Sequence, residues 1–246
     1  MGSSAVDSLF EIIHEDAALL VINKPAGLVC HPTKRGPYSS LISRVRLYLG
    51  AGAHPHLVNR LDRETGGVTL VAKGDDTARQ LRRLWEDRAV EKEYLAIVHG
   101  QVQPGHGVIN APLGRDERSR VAIKDCVCAG GAPSQTEFHV ERRFSRAEGE
   151  FSLLRVMPRT GRKHQIRIHL AQLGHPIVGD KLYGGDEDLY LALVEDRLTA
   201  GQRARLILPH HALHACAVRF VWCGSQACFN CVPEKWFADF AASPAL

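Results

Sequence analysis

The stretch NRLDRETGGVTLVA, Asn59 to Ala72, decides how the chain is read. Its second half, Gly67 to Ala72, is short, apolar and rich in β-branched residues, which predicts a buried strand. Its first half is polar and holds Asp62 between two arginines. A polar loop running into a buried strand places side chains at a sheet edge, where a rigid scaffold can hold reactive groups. An ordinary solvated loop would look the same. As a chemical candidate, Asp62 is a nucleophile or a base kept beside glycines.

Working outward, Ala17 to Asn23 (AALLVIN) predicts a second buried strand, stopped by the turn Lys24-Pro25-Ala26-Gly27. Ser39 to Leu49 predicts a helix with a serine cap, an apolar stripe of Leu41, Ile42, Val45 and Leu49, and a stop at Gly50. Thr77 to Arg88 predicts another, with Leu81, Leu84 and Trp85 on one face. Strands are expected at Tyr94–Val98 and Phe151–Met157, separated by a polar, Arg- and Gly-rich segment at 111–135 that suits a long loop or hairpin. Lys163 to Leu173 predicts a third helix with Ile166, Leu170 and Leu173 inward, a stop at Gly174, and Arg167 on the face away from that stripe, where an ordinary solvated basic face would look the same. Ala212 to Val232 predicts two strands around Cys223-Gly224-Ser225. Strands and helices do not alternate regularly, so the expected class is α+β: a mixed, largely antiparallel sheet with flanking helices and loops. Residues 1–8 read as a disordered tail and 9–240 as a single domain.

The composition sets limits. With 246 residues, 45% hydrophobic and 24% charged, the chain is globular in character. A net charge of +4 allows a nucleic-acid partner without requiring one. No apolar run reaches the roughly 18 residues of a membrane span, and the first residues lack the basic and apolar regions of a signal peptide. Seven cysteines, an odd number, then point to free thiols in the cytoplasm. Cys216, Cys223, Cys228 and Cys231 include one C-x-x-C. With no second such pair, buried structural thiols fit better than zinc, and no metal is expected. Phosphate-loop, dinucleotide, zinc-protease and serine-hydrolase motifs are all missing from the sequence.

Two further clusters stand out. Arg155, Arg159, Arg162, Lys163 and Arg167 form a basic run without an acid. Arg162 and Lys163 fall beside a helix N-terminus, which attracts phosphate, whereas cations there oppose the helix dipole unless an anion arrives. Tyr94 opens an apolar strand, which suits a core tyrosine with its hydroxyl at the rim.

In order, these clusters resemble the RluA-type family of pseudouridine synthases. The similarity is carried by LLVINKPAGLVCHP (19–32), NRLDRETGG (59–67), LVAK (70–73), EKEYLAIVHG (91–100), PRTGRKHQIRIHLAQLGHPIVGDKLYG (158–184) and LHA (213–215). The chain departs from the family pattern at Asn59, usually His, and Gly66, usually Ser. Many members also carry an S4 RNA-binding domain before the first motif, and a stand-alone catalytic domain is the expectation here. The resemblance implies a pseudouridine synthase catalytic fold of two subdomains sharing one sheet, with the active-site cleft between them. It implies that Asp62 is the catalytic aspartate, that Arg167 pairs with it, that Tyr94 stacks under the uracil, and that Arg60 fills the space left by a flipped nucleotide. RNA phosphate contacts at Arg162 and Lys163 are inferred from charge alone. No cofactor is implied, because the reaction only moves a glycosidic bond from N1 to C5 of uracil. The residues leave open whether the carboxylate attacks C1′, attacks C6 or abstracts a sugar proton.

The expected partner is a structured stem-loop of ribosomal or transfer RNA, met by a monomer. A catalytically silent RNA-binding module or RNA chaperone on the same scaffold is the alternative. A small-molecule glycosidase would need a second carboxylate near Asp62. Glu64 is the close candidate, and its position suits a solvent-facing residue.

Overall fold

The computed structural model describes residues 10–32 and 38–242, so the expected tail at 1–8 lies outside the described residues. In chain order the elements are β1 (Glu11–Glu15), β2 (Leu19–Lys24), α1 (Leu41–Leu49), β3 (His56–Leu57), β4 (Gly66–Ala72), α2 (Asp75–Glu86), β5 (Glu91–His99), β6 (His106–Asn110), β7 (Leu113–Arg115), β8 (Asp125–Val127), β9 (Gln135–Arg146), β10 (Gly149–Pro158), α3 (Gln165–Gln172), α4 (Asp188–Val194), α5 (Ala200–Leu206), β11 (Leu213–Trp222), β12 (Ser225–Asn230) and α6 (Lys235–Ala241). Among the described residues no helix is long and apolar enough to cross a membrane. The chain divides into two compact units. The first holds the residues up to Lys92 together with His214–Glu234; the second holds Glu93–Leu213 and the C-terminal helix.

In the first unit β2 lies antiparallel between β1 and β4, in a register running from Leu19↔Ala72 to Lys24↔Gly67. Strands β2 and β4 are apolar almost throughout because both of their faces are covered. Side chains alternate along a strand. Leu19 and Val21 therefore join Val68, Leu70 and Ala72 against Ala78 and Leu81 of α2. Leu20, Ile22 and Val71 join Leu41 and Val45 of α1 on the other face. Ser40 caps α1, its Oγ accepting from the Ser43 amide at 3.3 Å. Strand β11 runs parallel to β4, pairing His214 with Gly66 and Ala215 with Gly67. Gly67 has φ +117°, and a Cβ there would lie 2.2 Å from the Ala215 carbonyl oxygen, so only glycine lets these backbones approach. The β11–β12 hairpin turns at Cys223 and Gly224, both at positive φ, as a tight two-residue turn requires.

In the second unit β5, β10, β9 and β6 form an antiparallel sheet in that order. Ile97, Phe151, Leu154 and Val156 pack with Ile166 and Leu170 of α3 and Phe237 of α6. The segment at 111–135 folds back on itself through the short β7–β8 pair. The α+β class with a largely antiparallel sheet is therefore observed. Helix α3 departs from expectation. It starts two residues late, because His164 takes a left-handed conformation at φ 55°. It is not one-sided either: Gln165 through Leu170 are all buried, while Leu173, expected to face inward, is 40% exposed. Arg167 is thus a buried residue rather than part of a solvated basic face.

Candidate active site

The loop carrying Asp62 is held from below by side chains of the first motif. Lys24 is completely buried, and its Nζ donates to the carbonyls of Pro25, Leu28 and Arg63 at 2.9, 2.8 and 3.2 Å. Three acceptors suit the three donors of an ammonium. Burial pulls the Lys24 pKa down to about 8, against the pull of nearby Cys30, Glu234 and Asp62. The Gly27 amide also donates to the Arg63 carbonyl at 2.8 Å, and Arg63 Nε returns a bond to the Gly27 carbonyl at 3.2 Å. Cys30 grips the other side: its thiol donates to the Leu61 carbonyl, and its sulfur accepts from the Leu61 amide, both at 3.4 Å. Burial pushes this thiol's pKa up, consistent with a structural role. Asp62 itself is partly buried, its carbonyl accepting from the Thr65 amide, and Arg60 is exposed.

Asn59, where the family usually has His, continues the β-ladder with its side chain. Its Nδ2 donates to the Val68 carbonyl at 3.1 Å and its Oδ1 accepts from the Leu70 amide at 2.8 Å. One amide side chain thus satisfies two strand groups just ahead of Asp62. At Gly66, the other departure, a Cβ would meet Glu234 Oε2 and the Lys24 carbonyl at 3.2 Å each, a tight fit even for a methyl. Glu64 is buried at 9% exposure, so the expectation that it faces solvent is overturned. The Asp62–Thr65 turn points it inward.

In the second unit, Tyr94 stands on β5 opposite Val156 of β10 and packs against the core. Arg167 is the centre of a buried polar network. Its Nε donates to Asp180 Oδ2 at 2.7 Å and its Nη2 to Asp180 Oδ1 at 2.8 Å, a bidentate pair. The guanidinium lies over the ring of Tyr183, 4.9 Å from its centroid. Tyr183 Oη in turn accepts from the Asp125 amide at 3.2 Å and bonds His164 Nδ1 at 2.9 Å. Burial alone would raise the Asp180 carboxyl's pKa. The Arg167 charge and hydrogen bonds, His211 and the Tyr183 amide outweigh it and hold the group well below the usual carboxylate range. Removing one member of such a buried pair costs about 3–5 kcal/mol. Around the pair, Gln165 donates to the Gln135 carbonyl and Thr136 Oγ1, while His169 bonds Thr136 Oγ1 and the Ala111 carbonyl.

Arg162 is exposed and donates to the Pro133 carbonyl at 3.4 Å. Lys163 pairs with Asp125 at 3.0 Å. The basic segment 115–124 is partly neutralised as well, since Lys124 reaches Glu187 at 3.0 Å and Arg120 pairs with Asp188. At the C-terminal cysteines the expectation of buried thiols holds for Cys216 but not for Cys223 and Cys228, which are exposed on the β11–β12 hairpin. Cys231 meets His214 Nε2 at 3.4 Å, and burial pushes its thiol up to about 12.

Sequence reading alone thus finds Arg60 and Asp62 in one loop of the first unit, and Tyr94, Arg162, Lys163 and Arg167 in the second. It misses Lys24, Cys30 and Asn59 as the clamp on the Asp62 loop, and Asp180 and Tyr183 as the partners of Arg167. The signal for the last two was present in GDKLYG, but thirteen residues separate Arg167 from Asp180 and no local periodicity links them.

The largely antiparallel α+β scaffold is that of pseudouridine synthase domains. The chain belongs to the RNA pseudouridylate synthase family, which it matches over residues 18–172. It is 37% identical to ribosomal large subunit pseudouridine synthase C of Pasteurella multocida over 210 residues, covering 85% of this chain and 60% of that protein. It is 36% identical to ribosomal large subunit pseudouridine synthase D of Nitrosomonas europaea, covering 83% and 56%. Among solved structures it resembles human RNA pseudouridylate synthase domain containing 1, with a TM-score of 0.73, 27% identity and coverage of 95% and 86%. The chain spans about half to three-fifths of the length of the curated relatives it matches.

Proposed function

We propose that this protein is an RNA pseudouridine synthase acting on uridines of ribosomal or transfer RNA. The observation that carries the reading is the pairing of family membership with a retained, clamped Asp62 loop. The names of the large-subunit relatives favour ribosomal RNA as the substrate. In this reading Asp62, Tyr94 and Arg167 serve the same reaction. The N1–C1′ bond of a flipped uridine breaks, uracil rotates, and C5 bonds to C1′. The C5 proton leaves and N1 gains one, so nothing is oxidised and no group is imported.

Every route needs Asp62 ionised, and a cation close by supplies that. Tyr94 covers the uracil face and excludes water, which would otherwise divert the intermediate to free uracil. Flipping costs a few kcal/mol, and the planar guanidinium of Arg60 stacks in the vacancy. Arg162 and Lys163 hold backbone phosphate. The protein works as a monomer in the cytoplasm.

The test is a pseudouridine map of total RNA from cells lacking the gene, complemented with wild type or Asp62→Ala. Loss of a discrete site that only wild type restores is the expected result. A complete map in the deletion strain, or restoration of the site by Asp62→Ala, would refute it. The burial of Glu64 puts a second carboxylate close in sequence to Asp62, so uridine and RNA are also assayed for free uracil. Its release would favour the glycosidase reading instead.

A further inference from the structure

The long motif 158–184 contains more than the arginine it was read for. Two of its parts meet: Arg167 from α3 and Asp180 from the turn after Val178 form the bidentate buried pair, with Tyr183 beneath the guanidinium. Asp180 is itself fixed, because its Oδ1 accepts from the Leu182 and Tyr183 amides at 2.9 and 3.0 Å. The carboxylate therefore cannot follow the arginine if it swings; the arginine must conform to the carboxylate. Planar bidentate contact sets both the position and the tilt of the guanidinium. The pair engages Nε and Nη2, so the remaining edge of the fork has one direction.

We infer that Asp180 is the positioning residue of the reaction, fixing the position and tilt of the Arg167 guanidinium and offsetting its charge. The inference rests on the reading of Asp62 and Arg167 as reaction partners. Its consequence is electrostatic as well as geometric. A lone buried cation would hold Asp62 ionised strongly and so make it a weak base and a weak nucleophile. An arginine already paired with Asp180 presents a neutral pair, and Asp62 keeps more of its basicity. The groups facing Asp180 are Arg167, Tyr183 and His211; within its own unit Asp62 is faced by Lys24 and Cys30.

The experiment uses the full chain and ribosomal RNA transcribed with tritium at C5 of uridine, which is released when C5 bonds to C1′. Asp180→Asn keeps the shape and an oxygen for the two amides but removes the charge. Its kcat is expected to fall about 100-fold, the scale of a small misplacement of a reacting group. The acid limb of its kcat/KM profile is expected to move to lower pH by about one unit, since Arg167 is then an unbalanced cation. Asp180→Glu keeps the charge but displaces it, so kcat falls while the limb stays. A folded Asp180→Asn protein with wild-type kcat, or with reduced kcat and an unmoved limb, would overturn the inference and leave Asp180 a structural residue. If Asp180→Asn does not fold, the wild-type protein decides by nitrogen NMR. A slowly exchanging Arg167 Nε–H supports the inference, and one exchanging at the rate of a free arginine overturns it. Absence of tritium release from wild type on any RNA would defeat the proposed function itself, a result distinct from either of these.

Discussion

Lys24 Nζ lies 3.2 Å from the carbonyl oxygen of Arg63, and this bond ties the first motif of the chain to the second. It explains how a loop bearing Asp62 and flanked by arginines holds one shape. The lysine satisfies three carbonyls at once, two in the turn after β2 and one in the Asp62 loop, the Leu28 bond fully buried and the other two partly so. Lys24→Met should leave all three without that donor. The cost is about 3 kcal/mol, because buried acceptors that lose their partner cost more than a bond is worth. For a protein of this size that lowers Tm by roughly 6–12 °C. An unchanged melting curve would show that the turn finds other donors.

Gly67→Ala should be more damaging than any polar change in the same motif. The added Cβ meets the Ala215 backbone at 2.2–2.8 Å, and φ is +117°. Neither strand can retreat without opening the β4–β11 pairing. A loss exceeding about 4 kcal/mol, or insoluble protein, is expected. Gly74→Ala, where a Cβ would have nothing within 4 Å, is the control and should be nearly neutral. Equal behaviour of the two would contradict the close approach.

The buried histidines predict an acid-sensitive fold. Burial lowers the pKa of His169 and His214, and partial burial that of His99, from the ordinary 6.5. At His169 burial outweighs the bond from Nε2 to the Ala111 carbonyl, which by itself favours the charged ring, while Nδ1 accepts from Thr136 Oγ1 at 2.8 Å. Below pH 6.5 the unfolded chain binds protons that the folded chain refuses. Stability therefore falls as pH drops from 6.5, by up to about 1.4 kcal/mol per unit for each such histidine. The urea midpoint should decrease between pH 7 and pH 5, and His169→Gln should flatten the slope. A midpoint constant over that range would argue against neutral burial.

Arg162 tests the basic face. It is exposed and, among the described residues, its side chain reaches only a backbone carbonyl, so its charge is available to phosphate. Lys163 already shares Asp125. Arg162→Ala should weaken RNA binding at every sequence and reduce the salt slope of log K by about one, while Lys163→Ala should do less. Filter binding at several salt concentrations measures both. Equal slopes for Arg162→Ala and wild type would remove Arg162 from the RNA contact.

Much of the local structure was legible because it follows from short-range rules. The strands at Leu19–Lys24 and Gly66–Ala72 are apolar runs closed by turn residues, and α1 has a serine cap and a glycine stop. Helices α4, α5 and α6 escaped because seven residues carry barely two turns of periodicity. The start of α3 slipped because nothing in the sequence marks His164 as left-handed.

The sequence by itself determined the α+β class and the sheet-forming segments, and its resemblance to a known family singled out the residues worth testing: Asp62, Tyr94, Arg167 and their basic neighbours. Those conclusions rest on periodicity, turn chemistry and ordered motifs, all of which are encoded along the chain. Only the tertiary structure decided that Arg167 is buried on Asp180, that Lys24 and Cys30 clamp the Asp62 loop, and that Asn59 takes the place of a ladder peptide. Each of these joins residues nine to thirty-nine positions apart. Hydrogen bonds of that span are set by how strands and turns pack, and a buried charge chooses whichever partner the packing leaves within 3 Å.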